Sequence, residues 1–417
     1  MSGQLTITLD IPEVGVLEIE QNSRGECTIT VESTREGTRC RQCGREITDA
    51  HGVDEASTLR HLPILGQPVY LRVRPKRYRC PYGAGGPTPP QHLSGYTPKS
   101  LPTKAYEKYI LRQLGQATIA DVSRKEGLGA KAIDGIVERW VRGEVQWGEV
   151  RRVKILGLDE IALKKGHRDF VVIVTGKSAS GEVKVLAVLP DRKKQTGKQF
   201  LERMPRRVKR AIRTVCTDRY EGFIQAVKEV FGKAQVVIDR FHVAKRYRAG
   251  ADRVRTPERR RLKPELPKAD YAQVKGAMGP FRKKASDLEV DEQELLTRLF
   301  TYSPTLPQAY ELREQVTGIF AAPLSKEAAL QQLTAWQQQV RTSGLSCYDS
   351  FLQTLEKWME EIANYFLARQ TSGFVEGLNN KIKVLKRRCY GIFNLSHLFQ
   401  RLFLDIEGYQ RFAHTSA

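Results

Sequence analysis

No stretch of this 417-residue sequence approaches the roughly 18 uninterrupted apolar residues of a membrane span. Its start, Met1-Ser-Gly-Gln-Leu5, lacks the basic and apolar regions of a signal peptide, so neither membrane insertion nor secretion is expected. Acidic residues are scarce: 47 Asp and Glu against 69 Lys and Arg leave a formal charge of +22. That is more than solubility needs and selects a polyanionic partner, nucleic acid or an anionic membrane. The basic runs lack the Trp and Leu of an interfacial helix, which favours nucleic acid. Cysteine is sparse and odd in number, seven in all, so no closed disulfide framework is expected and a reducing cytoplasm, close to the nucleoid, is the expected location. A fixed-period repeat is also absent. What is present is 40% hydrophobic content, too much for a disordered basic tail, in a length that predicts two to four domains.

Residues 1–70 carry six basic and eleven acidic side chains, whereas 71–100 carry six basic and none acidic, so a first module ends where the charge changes. Gln4–Asp10 and Val69–Arg74 alternate apolar with polar residues, the period of half-buried strands. Residues 81–102 are crowded with Pro, Gly, Ser and Thr and read as a loop. From Thr103 to Arg142 helical spacing predicts two helices meeting at Gly127-Leu128-Gly129. Three β-branched runs follow (153–159, 169–175 and 183–189), then a basic helical piece (196–212), the strand 214–217, a helix over 220–231 and the strand 235–239. Polar helical sequence then runs to about Arg369. The expected domains are 1–100, 103–147, a segment 151–243 completed by 371–410, and a helical insertion 244–370.

Four constellations carry chemistry. Cys40-Arg-Gln-Cys43 and the lone Cys80 of Cys80-Pro-Tyr-Gly83 supply three of the four thiolates of a zinc ribbon. The fourth ligand stays open among His92, His51, His61 and Cys27, and the alternative is three free thiols. The helix pair over 118–142 has the form of a helix-turn-helix whose second helix presents Lys131, Asp134, Glu138 and Arg139, with Lys131 and Arg139 as DNA contacts. Asp159, Asp218 and Asp239 each close a predicted strand, and carboxylates gathered at one sheet edge repel unless a divalent cation such as magnesium neutralises them. Such a site suits two-metal phosphoryl transfer. In the last helical segment Glu376, Asn379, Asn380, Lys383 and Arg387 share one face, while Val375, Leu378, Ile382 and Leu385 share the other. Five cations, Lys381, Lys383, Lys386, Arg387 and Arg388, with no acid among them, predict phosphate contacts there.

The motifs Gly157-Leu-Asp159-Glu160, Thr217-Asp218, Ile238-Asp239-Arg-Phe-His242-Val243 and Ser372-Gly-Phe-Val-Glu376-Gly-Leu-Asn-Asn-Lys-Ile-Lys383 resemble those of bacterial insertion-sequence transposases of the ISL-three family. The resemblance spans nearly the whole chain. It implies an α/β fold: an RNase H-like mixed sheet with a helical insertion, preceded by a zinc-ribbon-like β module and a helix-turn-helix. It implies a catalytic triad of Asp159, Asp218 and Glu376 holding two Mg2+ ions. The partners it implies are double-stranded DNA, both the terminal inverted repeats and the target, with a homodimer or larger assembly on DNA and no membrane. Asp239 and His242 then serve in support of the site or in contact with DNA. The sequence departs from the family at Gly83, where a fourth ribbon cysteine is expected. The rival readings are a nuclease that cuts without joining and a catalytically silent DNA-binding regulator.

Overall fold

The computed structural model describes residues 9, 11, 13–40, 42–82, 90–97, 100–150, 152–162, 170–218, 220–369, 373–389 and 392–413. The side chains of residues 368, 373–376 and 379 lie outside the description. The chain forms two compact units, Met1–Val141 with Gln400–Ala417, and Arg142–Phe399. The division at Phe399 falls within the segment 371–410 that the sequence treats as one piece.

The first unit begins with strands β1 (Val14–Gln21), β2 (Cys27–Ser33), β3 (Thr38–Arg39), β4 (Glu46–Ile47), β5 (Asp49–Val53), β6 (Ser57–Ile64), β7 (Gln67–Arg74) and β8 (Lys76–Arg79). A sheet in the order β1-β2-β7-β6 buries Ile29, Val31, Leu59, Val69, Leu71 and Val73, the alternate residues of their strands. β3 pairs with β4 and β5 with β8 in two small ribbons. The strand expected at 4–10 falls almost wholly outside the described residues.

Three helices follow where spacing predicts two: α1 (Lys104–Gln113), α2 (Ile119–Glu126) and α3 (Ala130–Trp140). The extra break comes from Thr118. Its hydroxyl accepts the Asp121 N–H at 3.0 Å while the Asp121 carboxylate accepts the Thr118 N–H at 3.2 Å, a reciprocal cap that starts a new helix. Gly127, at φ +64°, ends α2 in the left-handed region that glycine enters without strain. Val122, Ile133, Ile136 and Val137 meet in one core with Tyr106, Ile110 and Leu111. Glu107 of α1 is buried there and accepts Arg139 Nε at 3.1 Å and Trp140 Nε1 at 2.7 Å. Arg139, expected to face DNA, is exposed, and its guanidinium pairs with this buried carboxylate.

The second unit holds β9 (Val153–Ala162), β10 (Phe170–Ser178), β11 (Val183–Leu189), α4 (Lys194–Arg203), α5 (Arg206–Ala211), β12 (Thr214–Thr217), α6 (Glu221–Val230), β13 (Gln235–Ile238) and α7 (Arg240–Glu265). The single helical piece expected over 196–212 is two helices because Pro205 has no N–H to continue the first. The sheet order is β11-β10-β9-β12-β13, with β9 to β11 an antiparallel meander and β12 and β13 parallel to β9. α8 (Lys268–Ala277), α9 (Val290–Thr301), α10 (Thr305–Ala321), α11 (Lys326–Thr342), α12 (Asp349–Ala363), α13 (Tyr365–Ala368) and α14 (Gly373–Arg388) complete the unit, and α15 (Leu395–Phe403) spans its end. Tyr247, Phe320, Trp336, Phe351 and Leu355 of the helical segment join Leu156, Val172, Val174, Val215 and Val237 of the sheet in one continuous core. The helices expected as an insertion are therefore packed into the sheet's own core. Among the described residues no helix is long and apolar enough to cross a membrane.

Removing one partner of a buried ion pair leaves the other charge uncompensated. Arg139→Ala, which leaves the buried Glu107 carboxylate without its cation, should therefore cost about 3 kcal/mol in urea-induced unfolding. The exposed Arg124→Ala, which breaks only a surface pair with Asp121, should cost under about 1 kcal/mol.

Candidate functional site

The parallel strands fix the site. Leu158 of β9 lies opposite Thr217 of β12, and Thr217 opposite Ile238 of β13, so Asp159, Asp218 and Asp239 occupy the next position on three neighbouring chains. The Asp239 N–H donates to the Thr217 carbonyl at 3.1 Å and carries the register one residue past the strands. From this common level the three carboxylates take different surroundings. Asp218 accepts the Tyr220 N–H at 3.0 Å and lines a cavity of about 480 Å³. Asp239 is buried and caps α7, accepting the Phe241 N–H at 3.0 Å. Asp159 accepts the Glu160 N–H at 2.8 Å.

Glu160 also lines the cavity. Its Oε1 is buried without a hydrogen-bond partner, while Oε2 sits 3.4 Å from the Arg192 guanidinium. Arg192 in turn lies over the rings of Phe170 and Tyr220, 5.6 and 5.4 Å from their centroids. Burial raises the Glu160 carboxyl above the ordinary carboxylate range, with the charge of Asp218 adding to it. Burial raises Asp218 likewise, and the amide of Tyr220 and the charges of His242 and Arg192 only partly offset this. Two carboxylates in one pocket, one with a bare buried oxygen, make a donor set that fits a hard divalent cation.

Opposite them, α7 turns one face to the cavity. His242, Lys245, Arg246, Ala249 and Arg253 lie at the i, i+3, i+4, i+7 and i+11 positions of one helical face. Arg246 is steadied by Ser350 Oγ at 3.2 Å. The cavity thus has carboxylates at the sheet edge and cations on the facing helix, an arrangement suited to a phosphodiester between them. The i, i+3, i+4 spacing of cations after His242 was readable in the sequence. Glu160 gave no such signal, because the residue after Asp159 on a strand is expected on the other face.

Glu376 and Asn379 belong to α14, but their side chains lie outside the described residues. Leu378, Ile382 and Leu385 are buried, and Asn380, Lys381, Lys383 and Arg387 are exposed, as the helical spacing predicts. Lys386 departs from expectation. Its ammonium donates to the carbonyl of Ala162, the last residue of β9, so it ties α14 to the strand carrying Asp159. Arg388 is half-buried.

In the first unit the sulfurs of Cys40, Cys43 and Cys80 lie within 4.8 Å of one another, with Cys43 and Cys80 at 3.6 Å. The amides of Cys43 and Gln42 lower the Cys40 thiol to about 7, which favours the thiolate a metal takes. The set fits three corners of a tetrahedral zinc site. Among the described residues no histidine joins it. His92, expected as a fourth ligand, is exposed because the preceding Gln91 is buried and anchored to the carbonyls of Arg35 and Gly37. His51 bonds to Arg79 and His61 to Thr103, each at 2.9 Å. Cys27 opens β2, paired with Gln21 and Val69. Gly83 lies outside the described residues.

Comparison with known proteins agrees with this geometry. A zinc-finger model of the transposases of IS204, IS1001, IS1096 and IS1165 matches residues 36–83, the span that contains the three cysteines. The chain is 26% identical over 376 residues to the transposase for insertion sequence element IS1001 of Bordetella parapertussis, covering 90% of each. It is 22% identical over 431 aligned positions to the transposase for insertion sequence element IS1557 of Mycobacterium tuberculosis, covering 94% of this chain and 92% of that one. A solved structure, the Drosophila P element transposase strand transfer complex, aligns at a TM-score of 0.42 and 12% identity over 73% of this chain and 92% of that one. A transposase model of the ISL3 type matches residues 156–402, more than half the chain, and the protein therefore belongs to the ISL3 family of transposases.

Proposed function

We propose that this protein cleaves and joins DNA strands at the ends of an insertion sequence, with Asp159, Asp218 and Glu376 as the metal-binding triad of an RNase H-like sheet. The observation that carries the reading is the shared level of Asp159 and Asp218 on adjacent parallel strands, beside a cavity in which Glu160 has an unpartnered buried oxygen. When bound, two magnesium ions supply the charge that activates the attacking oxygen and stabilises the leaving one in line. Asp159, Asp218 and Glu376 hold them. Asp239, spent on capping α7, is the weaker candidate for the middle position.

The other groups orient the substrate. Arg192 holds Glu160 at the cavity wall. His242 faces Asp218 and, with Lys245, Arg246 and Arg253, receives the phosphate whose bond breaks. Asn380, Lys381, Lys383 and Arg387 on the exposed face of α14 follow the backbone further. α2 and α3, held by their glycine turn, form the helix-turn-helix that reads the terminal inverted repeat, with Lys131 and Arg139 as the exposed cations of α3. The three cysteines hold a zinc ion that braces the small ribbons. Binding two ends brings at least two protomers together on DNA.

Cleavage of a duplex carrying the element's own terminal repeat tests this reading. Asp159→Asn, Asp218→Asn and Glu376→Gln should each abolish cleavage in magnesium with binding retained, and His242→Ala should slow it about 10- to 100-fold, as for a group acting beside a metal ligand. Normal strand transfer by any triad variant would remove that residue from the triad. Cleavage without joining in the unaltered protein would favour a nuclease, and binding without cleavage a silent regulator.

Magnesium also gives a readout independent of turnover. At about 100 times its dissociation constant it should stabilise the protein by about 2.7 kcal/mol, raising the melting temperature, and Asp218→Asn should remove that gain. For the cysteine cluster, the full chain purified under reducing conditions should carry about one equivalent of zinc, lost in Cys40→Ser. Zinc content unchanged by that substitution would exclude the cluster as the site.

A further inference from the structure

The mechanism leaves the other end of the sheet unused. There Arg213 immediately precedes β12 and Ala234 immediately precedes β13. The Arg213 N–H donates to the Lys154 carbonyl of β9 and its carbonyl accepts the Gln235 N–H, each at 2.9 Å, so these positions are fixed by the ladder. Around them opens a cavity of about 350 Å³ lined by Arg206, Lys209, Arg210, Arg213 and Lys233, with Phe231 among its apolar residues. No carboxylate lines it.

Like charges converge at a cost unless a counterion meets them. Several neighbouring cations are matched: Lys194 and Lys198 with Glu229, Lys228 with Glu361, and Arg207 with the carbonyls of Val150 and Trp147. Among the described residues, Arg206, Arg210, Arg213 and Lys233 meet no carboxylate, and Lys209 meets only the Glu202 carbonyl at 3.0 Å. The five come from three separate segments, the helix α5, the start of β12 and the turn before β13. Cations spread in this way follow a chain of phosphates better than they enclose one small anion.

We propose that this cavity is a second DNA-binding site, which grips the phosphodiester backbone of a duplex segment other than the one at the carboxylates. Asp218 and Asp239 stand five residues further along the same two strands, about 16 Å away at ~3.3 Å per residue, at the opposite strand ends. The inference goes beyond the triad assignment and does not require it, since it concerns charge at the far edge of the sheet.

The test is the salt dependence of binding of the full chain to a duplex of unrelated sequence, followed by fluorescence anisotropy. A variant carrying Arg206→Gln, Arg210→Gln, Arg213→Gln and Lys233→Gln should flatten the slope of log affinity against log salt by about 2 to 4, at about 0.9 for each phosphate no longer neutralised. A second variant, with the three arginines replaced by lysine, keeps the charge and should retain the slope. The flattening should add to that produced by Lys245→Gln with Arg253→Gln on α7, as for independent sites. Inorganic phosphate should compete no better than chloride at equal ionic strength. An unchanged slope in a glutamine variant that melts normally, a slope lost equally in the lysine variant, a decrement that fails to add, or selective displacement by phosphate would each overturn the proposal. None of these readings uses cleavage, so failure of the triad assignment would leave the result intact.

Discussion

Everything at the candidate site depends on the parallel register of β9, β12 and β13. Parallel strands bring equivalent positions to one level, and here each carries an aspartate at that level: Asp159 inside β9, and Asp218 and Asp239 just past β12 and β13. Negative charge concentrated beside a buried sheet is unfavourable in isolation. The protein meets that constraint differently at each position. Asp239 is spent on the first turn of α7, Asp159 takes the amide of its neighbour, and Asp218 faces the cavity with Glu160. The division leaves the outer strand with a capping role, since Asp239 starts the helix that presents His242, Lys245, Arg246 and Arg253 to the cavity.

The helical segment bears on the same constraint. It follows Asp239 directly, and its residues Tyr247, Phe320 and Phe351 pack into the sheet's core. Close packing makes the position of α7 a property of the whole core, so the cations opposite the carboxylates are held by the packing beneath them and not by their own charge. α14 is held in turn through Ile382 and Leu385, both fully buried, and through Lys386 on the carbonyl of Ala162. The helix that carries Glu376 is thus fastened to the strand that carries Asp159 by a bond made ten residues further on. Each side of the site rests on apolar packing, and the charged groups are the residue of chain left uncovered by it.

The sheet was legible because its strands are β-branched runs bounded by Gly, Lys and Pro, and because 214–217 and 235–238 are too short and too apolar to be anything but buried strands. Asp218 and Asp239 were legible for the same reason, as the residues at which those runs stop, whereas Asp159, expected to close its strand, lies inside β9, which runs on to Ala162. What spacing could not give was partnership. Helical periodicity placed Arg139 outward, and it is exposed, yet its guanidinium reaches buried Glu107; Lys386, counted only among the basic residues of its helix, reaches the carbonyl at the end of β9. A long cation can reach back over the edge of its helix, so its face does not fix its contacts. The break at Thr118 was missed because a capping box depends on the pair Thr118 and Asp121 and leaves the apolar spacing around it unchanged. His92 was a plausible ligand by proximity in sequence, and its neighbour Gln91, anchored to two carbonyls, decided its direction.

Net charge alone therefore says little about where a polyanion lies. Of the cations behind the +22, Arg139, Arg207, Lys194, Lys198 and Lys228 are consumed within the fold by carboxylates and carbonyls. Two further groups of cations line cavities, one on the face of α7 at one end of the parallel strands and one around Arg213 at the other. Unpaired cations cost self-repulsion in the free protein, and release of condensed counterions from DNA repays it on binding. The same parallel register that gathers carboxylates at the carboxyl ends of β12 and β13 leaves their amino ends bare of acid, and there the cations collect. One sheet thus carries carboxylates at the carboxyl ends of its parallel strands and a cluster of cations at their amino ends.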